Sequence, residues 1–292
     1  MKYYIISGET SGDNHASAVI KKLTLLDTNA SFRGMGGDAS EQAGLQLCIH
    51  QKEMAIMGFW EVLINLRKIV KNLKRIKADI AEWGPDVILL VDYPGFNFKI
   101  AKYANTLKIP VHYYISPKVW AWKESRVKRI KQDVSHLYSI LPFEKEYFKK
   151  HNVESIYVGN PSKETVDEYL STHPTKPTKK SIAVLPGSRA SEISRSLPIM
   201  LDALNAYKEY DILVAQAPGF DAAFYHQYDK DLTLIPNNMY GLLAQCQVAI
   251  VTSGTATLET ALMGVPQVVC YQAGNISYQI AKAIIKLKYI SL

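Results

Sequence analysis

An aspartate closes the most apolar run of the chain: Val87-Ile88-Leu89-Leu90-Val91 leads into Asp92-Tyr93-Pro94-Gly95-Phe96-Asn97. A carboxylate just past a buried strand stands where open α/β sheets place catalytic groups. Partial loss of water there raises its pKa toward that of a general base. Asp92 is therefore the first candidate base, although the same residue also suits the start of a Pro-Gly turn. His15 competes for the role, but a lone histidine in an opening helical turn is more often solvated or structural. Near the N-terminus, Gly8-Glu9-Thr10-Ser11-Gly12-Asp13 joins a strand to a helix. Its glycines admit a ligand close to the backbone, and the helix start favours an anion or a sugar edge. It lacks the third glycine of the dinucleotide fingerprint and also reads as a tight turn with Asp13 as N-cap.

Two similar loops lie in the second half. Leu185-Pro186-Gly187-Ser188-Arg189 follows a strand and opens a helix carrying Glu192. Amides, a hydroxyl and a guanidinium converging there form a phosphate site, and Arg189 can neutralise a leaving diphosphate without a metal. Thr252-Ser253-Gly254-Thr255-Ala256-Thr257-Leu258-Glu259 repeats the arrangement. Its hydroxyl-rich turn suits an anion, and Glu259 suits ribose hydroxyls or simply complements the helix dipole. No Walker Lys-Ser/Thr pair and no metal-ligand cluster occurs in the sequence, which removes kinase and ATPase readings. It leaves a nucleoside diphosphate held by backbone and arginine, with no cofactor and no metal.

The elements that must position these residues are parallel βαβ units. Strands are expected at residues 2–7, 86–92, 111–115, 137–141 and 155–158, with weaker ones near Phe32 and Leu47. Five more are expected at 181–185, 211–215, 232–235, 248–251 and 267–271. Residues 159–180 hold Gly159, Pro161, Pro174 and Pro177 and suit a linker around one short helix at 164–170. The expected division is 1–162 and 163–292, two doubly wound Rossmann-like sheets of an α/β chain facing a cleft. The first domain would serve an acceptor and a membrane surface, the second a nucleoside diphosphate.

The 292 residues are 48% hydrophobic, so disorder is excluded, and the net charge of +7 permits contact with phosphates or anionic lipid without choosing between them. Three dispersed cysteines, Cys48, Cys246 and Cys270, fit a reducing compartment. The apolar start is too short for a signal peptide, and no run approaches a membrane span. Residues 61–80 place apolar side chains at 63, 66, 69, 70, 73, 76 and 80, with Arg67, Lys68, Lys71, Lys74, Arg75 and Lys77 on the remaining arc. This amphipathic helix packs on its own sheet and leaves a basic face. Lys123, Arg126, Lys128, Arg129 and Lys131 add a second basic group. With Met54, Met57, Phe59 and Trp60 they suit an anionic membrane surface better than nucleic acid, whose aromatic RNA-binding signature is absent.

Taken in order, SGETSGD (7–13), Met57-Gly58 with Glu61-Val62, DYPGFN (92–97), YISPKVWAW (114–122), Pro142-Phe143-Glu144, YVGNP (157–161), LPGSR (185–189) with Glu192-Ile193, and SGTATLE (253–259) resemble one family along essentially the whole chain. That family is lipid-A-disaccharide synthase, inverting glycosyltransferases of the GT-B fold. The resemblance implies transfer of 2,3-diacylglucosamine from UDP to the 6-hydroxyl of 2,3-diacylglucosamine 1-phosphate (lipid X), forming a β-1,6 disaccharide and UDP. It implies Asp92 and Arg189 as catalytic residues. It implies substrate contacts at Glu9, Ser11, Gly12, Asp13, Asn97, Gly187, Ser188, Ser253, Gly254, Thr255 and Glu259. The expected location is cytoplasmic, peripheral on the cytoplasmic face of the inner membrane; a homo-oligomer is left open. Lys118 and Asn160 depart from the family pattern and receive no role. The family continues past the residues that end at Leu292, so a shortened C-terminal end is expected. The alternative is another GT-B type enzyme such as a UDP-N-acetylglucosamine 2-epimerase, which shares the phosphate loops and needs no lipid.

Overall fold

The computed structural model describes residues 1–54, 66–173 and 180–272. The chain divides into two compact units, Met1–Gly159 and Asn160–Leu292. In the first, β1 (Lys2–Ser7), β2 (Ser31–Gly36), β3 (Gln46–His50), β4 (Val87–Val91), β5 (Val111–Tyr114), β6 (His136–Ser139) and β7 (Ile156–Tyr157) form one sheet in the order β3-β2-β1-β4-β5-β6-β7. Its pairs are all parallel. The helices are α1 (Thr10–Leu26), α2 (Asp38–Gln42), α3 (Leu66–Trp83), α4 (Pro94–Thr106), α5 (Val119–Trp122), α6 (Val127–Asp133) and α7 (Pro142–Lys150). In the second unit, β8 (Ser181–Leu185), β9 (Asp211–Gln216), β10 (Thr233–Pro236), β11 (Val248–Thr252) and β12 (Gln267–Cys270) form a parallel sheet ordered β10-β9-β8-β11-β12. Its helices are α8 (Pro161–Thr172), α9 (Ala190–Leu204), α10 (Ala222–His226), α11 (Met239–Gln245) and α12 (Thr255–Leu262). Every expected strand is present, with ends shifted by two residues at most.

The strands read as apolar runs because both faces are covered. Tyr4, Ile6, Ile88 and Leu90 join Ile76 and Ile80 of α3 and Phe96 of α4 in one core. Ile5, Leu89 and Val91, one residue out of phase, join Ala16 and Ile20 of α1 in another. The same alternation sends Ala183, Leu185, Ala249 and Val251 to one layer of the second sheet and Ile182, Val184 and Val214 to the other. Each fully buried Ile, Leu or Val among them contributes about 1.5–3 kcal/mol of transfer free energy.

Three expectations change. Helix α8 begins at Pro161, capped by the Asn160 side chain, which accepts from the Ser162 amide, and its Val166 is fully buried. It is thus part of the second unit's core, and residues 174–179 lie outside the described residues. The stripe on α3 runs through Ile69, Leu73, Ile76 and Ile80, while Val70 is exposed. Buried Asn72 and half-buried Asp79 take places on the packed side, Asp79 receiving Arg33 and the Tyr4 hydroxyl. Met54, expected to face lipid, is 3% exposed and accepts a hydrogen bond from Asn72. Met57, Phe59 and Trp60 lie outside the described residues, as do residues 61–65. Among the described residues no helix is long and apolar enough to cross a membrane.

Candidate active site

In each sheet the strand order reverses once, between β1 and β4 in the first unit and between β8 and β11 in the second. The four loops singled out in the sequence follow these four strands. Crevices at such reversals, beyond the carboxyl ends of the strands, are where open parallel sheets bind ligands.

In the first unit the loops after β1 and β4 interlock. A Cβ on Gly8 would sit 2.3 Å from the Tyr93 ring, so only glycine lets the two loops approach this closely. Asp92 and Tyr93 both adopt left-handed conformations, φ 44° and 47°, strain of about 1–3 kcal/mol each that surrounding contacts must hold. The holding contacts converge on the Asp92 carbonyl, which accepts from the Asn97 side-chain amide at 2.7 Å and from the Tyr113 hydroxyl at 2.5 Å. The Asp92 amide donates to Tyr114. With its backbone fixed, the Asp92 carboxyl is pushed up to about 6, first by burial and next by the negative charge of Glu9, while Lys118 pulls it back. Glu9, Thr10 and Ser11 are exposed beside it. Burial alone lowers the pKa of His15.

Two expected substrate contacts prove to be internal. Asn97 is fully buried, its Nδ2 donating to the Asp92 carbonyl while its Oδ1 has no hydrogen-bond partner among the described residues. Asp13 is 2% exposed and accepts from the amides of Gly37, Ala39 and Ser40. It is not the N-cap of α1, whose N-cap is Glu9; it pins the turn entering α2 instead. Gly12 is buried over Ser7 and Val91.

Sequence reasoning gave no role to Glu144, whose buried carboxylate organises the neighbouring loop. It accepts from the Ser116 hydroxyl at 2.7 Å, the Trp120 indole at 3.1 Å and the amides of Ile140 and Leu141 at 3.2 and 3.0 Å. The local signal was Pro142 at the first position of α7 with an acid two residues on, the N-terminal pattern of a capped helix. A cavity of about 270 Å³ opens beside it, lined by Asp92, Ser116, Pro117, Lys118 and Arg126 among others.

In the second unit Gly187, at φ +123°, leaves no room for a Cβ, which would lie 2.7 Å from the Glu192 Cβ. That closeness lets Glu192 brace the loop, taking the Ser188 amide at 3.1 Å and one Arg189 nitrogen at 2.7 Å. Arg189, at the N-cap position of α9, keeps its side chain 45% exposed. The loop after β11 presents Ser253, Gly254 and Thr255 at the start of α12. One turn in, Glu259 accepts from the Tyr240 hydroxyl at 2.9 Å, and burial raises its pKa. Among the described residues no group of His, Cys, Asp and Glu is arranged to hold a metal ion.

Two parallel-sheet units, each with a pair of loops at its strand-order reversal, have the GT-B fold, and solved structures agree. The UDP-GlcNAc 2-epimerase of Methanocaldococcus jannaschii, solved with UDP-GlcNAc and UDP, matches with TM-score 0.61 at 15% identity, over 92% of this chain and 83% of that one. The glycotransferase of kitacinnamycin matches with TM-score 0.62 at 14% identity, over 97% and 84%. The sequence is more specific than the fold. The lipid-A-disaccharide synthetase family model matches residues 3–292. The lipid-A-disaccharide synthase of Nitrosococcus oceani is 37% identical over 302 residues, covering 99% of this chain and 78% of that protein. The chain belongs to the lipid-A-disaccharide synthetase family.

Proposed function

We propose that the protein moves 2,3-diacylglucosamine from UDP to the 6-hydroxyl of 2,3-diacylglucosamine 1-phosphate, giving the β-1,6 disaccharide 1-phosphate and UDP. The observation that carries the reading is the pairing of roles at the two strand-order reversals. One holds a strained carboxyl poised near pH 6; the other holds an arginine and hydroxyl-bearing helix starts suited to a diphosphate. Asp92 takes the proton of the acceptor hydroxyl as its oxygen attacks the anomeric carbon of the donor. The bond from that carbon to the UDP oxygen breaks, and its electron pair leaves on the diphosphate. Arg189, the Ser188 region and the loop at 253–255 neutralise that charge, a role worth about 2–4 kcal/mol for a preorganised donor. Glu259 takes the ribose hydroxyls, and Glu9 and Ser11 border the acceptor. The first unit thus serves the acceptor and the second the UDP-sugar.

Both substrates are acylated, so the first unit works at the cytoplasmic face of the inner membrane. The exposed Val70 flanked by Arg67, Lys71 and Lys74 supports this reading, as do the basic residues at 123–131. Each cation near an anionic surface contributes about 1 kcal/mol, screened by salt. Sedimentation with vesicles should show binding that grows with anionic lipid and fades with salt; equal binding to neutral vesicles would remove the electrostatic part. For the reaction, incubation with both lipid sugars should yield UDP and disaccharide. An epimerised UDP-sugar without disaccharide would overturn the assignment.

A further inference from the structure

The cavity beside Asp92 joins one carboxyl to two cations. Lys118 is exposed at its rim, close enough to pull the Asp92 pKa down, and Arg126 lines the same wall. Both are held in place. The backbone on either side of Lys118 is pinned, since Ser116 and Trp120 bond to buried Glu144 and the Ser116 amide donates to Tyr138. The Arg126 guanidinium lies 5.7 Å from the centre of the Phe98 ring, and Phe98 packs on Tyr113, whose hydroxyl fixes the Asp92 carbonyl. Burial acts most against the charge of Arg126, Tyr113 favours it and the nearby Arg129 opposes it.

The acceptor carries two groups on either side of its ring oxygen, the C6 hydroxyl that reacts and a C1 phosphate that does not. The phosphate brings a charge of about −1.5 to −2, which the Asp92 carboxylate and Glu9 would repel unless cations stood between. Building on the proposed reaction, we infer that Lys118 and Arg126 bind the acceptor's anomeric phosphate in this cavity and so set the C6 hydroxyl against Asp92. The enzyme then selects phosphorylated acceptors by a site inside its first unit, separate from the arginine loop that serves the donor.

The test uses Lys118→Met and Arg126→Met, which remove charge and keep the aliphatic stems. The full chain is assayed with lipid X and with its dephosphorylated counterpart. Wild type should favour the phosphorylated acceptor in kcat/KM by roughly a hundredfold, and each variant should lose about tenfold of that ratio, the size of a charge-assisted bond. Comparing acceptors within one variant cancels any change in Asp92 itself. A preference that survives both substitutions overturns the phosphate site and leaves the proposed reaction standing. No disaccharide from wild type with either acceptor overturns the reaction instead. Glucosamine 1-phosphate titrated into the wild type and followed by NMR should give saturable shifts that weaken at least tenfold in both variants, and glucosamine should give none. Unaltered shifts in the variants, or none in the wild type, also overturn the site.

Discussion

Asp92→Asn should make the protein more stable and less active, by amounts that the fold sets. Asparagine stands in for the protonated acid, so the substitution removes the cost of holding a carboxylate in a site that prefers the neutral form. That cost follows from the rise of the pKa from 3.8 to about 6. At about 1.36 kcal/mol for each pKa unit, roughly 3 kcal/mol is recovered above pH 7. The sign is fixed by linkage. The folded state binds the proton more tightly than the unfolded chain, so the penalty is complete above pH 6 and fades as the pH falls toward 3.8. At pH 5 about half remains. Urea unfolding followed by tryptophan fluorescence reads the relevant unit alone, because Trp60, Trp83, Trp120 and Trp122 all precede residue 160. The variant should gain roughly 3 kcal/mol at pH 7.5 and about half of that at pH 5. Its turnover should fall a hundredfold or more while UDP binding persists. In the wild type, kcat/KM should climb with pH through about 6. Wild-type turnover, or a stability gain that does not shrink on acidification, would refute the reasoning.

Arg189→Ala should lower kcat/KM by roughly 30- to 1000-fold, the loss of one charge-stabilising donor, and EDTA should leave the wild type unaffected; steady-state kinetics reads both. Gly187→Ala places a Cβ against Glu192 at a φ of +123°. About 1–3 kcal/mol of strain should then loosen the Ser188 contact and raise the KM for the UDP-sugar with little effect on the acceptor. Asp13→Ala strips three amides of their buried carboxylate. It should cost about 3–5 kcal/mol in the tryptophan-reported transition, and a loss below 1 kcal/mol would show that the turn holds without it.

The strands were legible because parallel sheets covered on both faces are written as runs such as residues 87–91, and a strand's end falls wherever polar residues resume. The loops at the reversals were legible for the same reason. What each loop residue does was not. Asn97 and Asp13 have the types of ligand contacts, and only burial shows that the Asn97 Nδ2 is committed to Asp92 and the Asp13 carboxylate to the α2 turn. Glu144 was hidden because its four donors come from residues 116, 120, 140 and 141, separations that no local pattern records. Met54 carried the composition of a lipid-facing residue but packs inward, since an apolar side chain beside a sheet edge finds a core before it finds a bilayer. The α3 stripe followed its helical period except at Val70, where Asn72 and Asp79 bond inward and leave valine outside.

The position of β1 sets an order of events during synthesis. Strand β1 is central in its sheet, pairing with β2 on one side and, from Tyr3↔Val87 onward, with β4 on the other. Until β4 follows roughly eighty residues later, one edge of this strand, apolar from Tyr3 to Ile6, has no partner, and at about 5–20 residues per second that interval lasts seconds. Long-range parallel pairing is slow to nucleate, and an unpaired apolar edge invites pairing with another chain. Yield in a cell is therefore governed by how well residues 2–7 are shielded while residues 87–91 are still being made. Slowing translation before β4 should increase the aggregated fraction without altering the stability of the molecules that do fold.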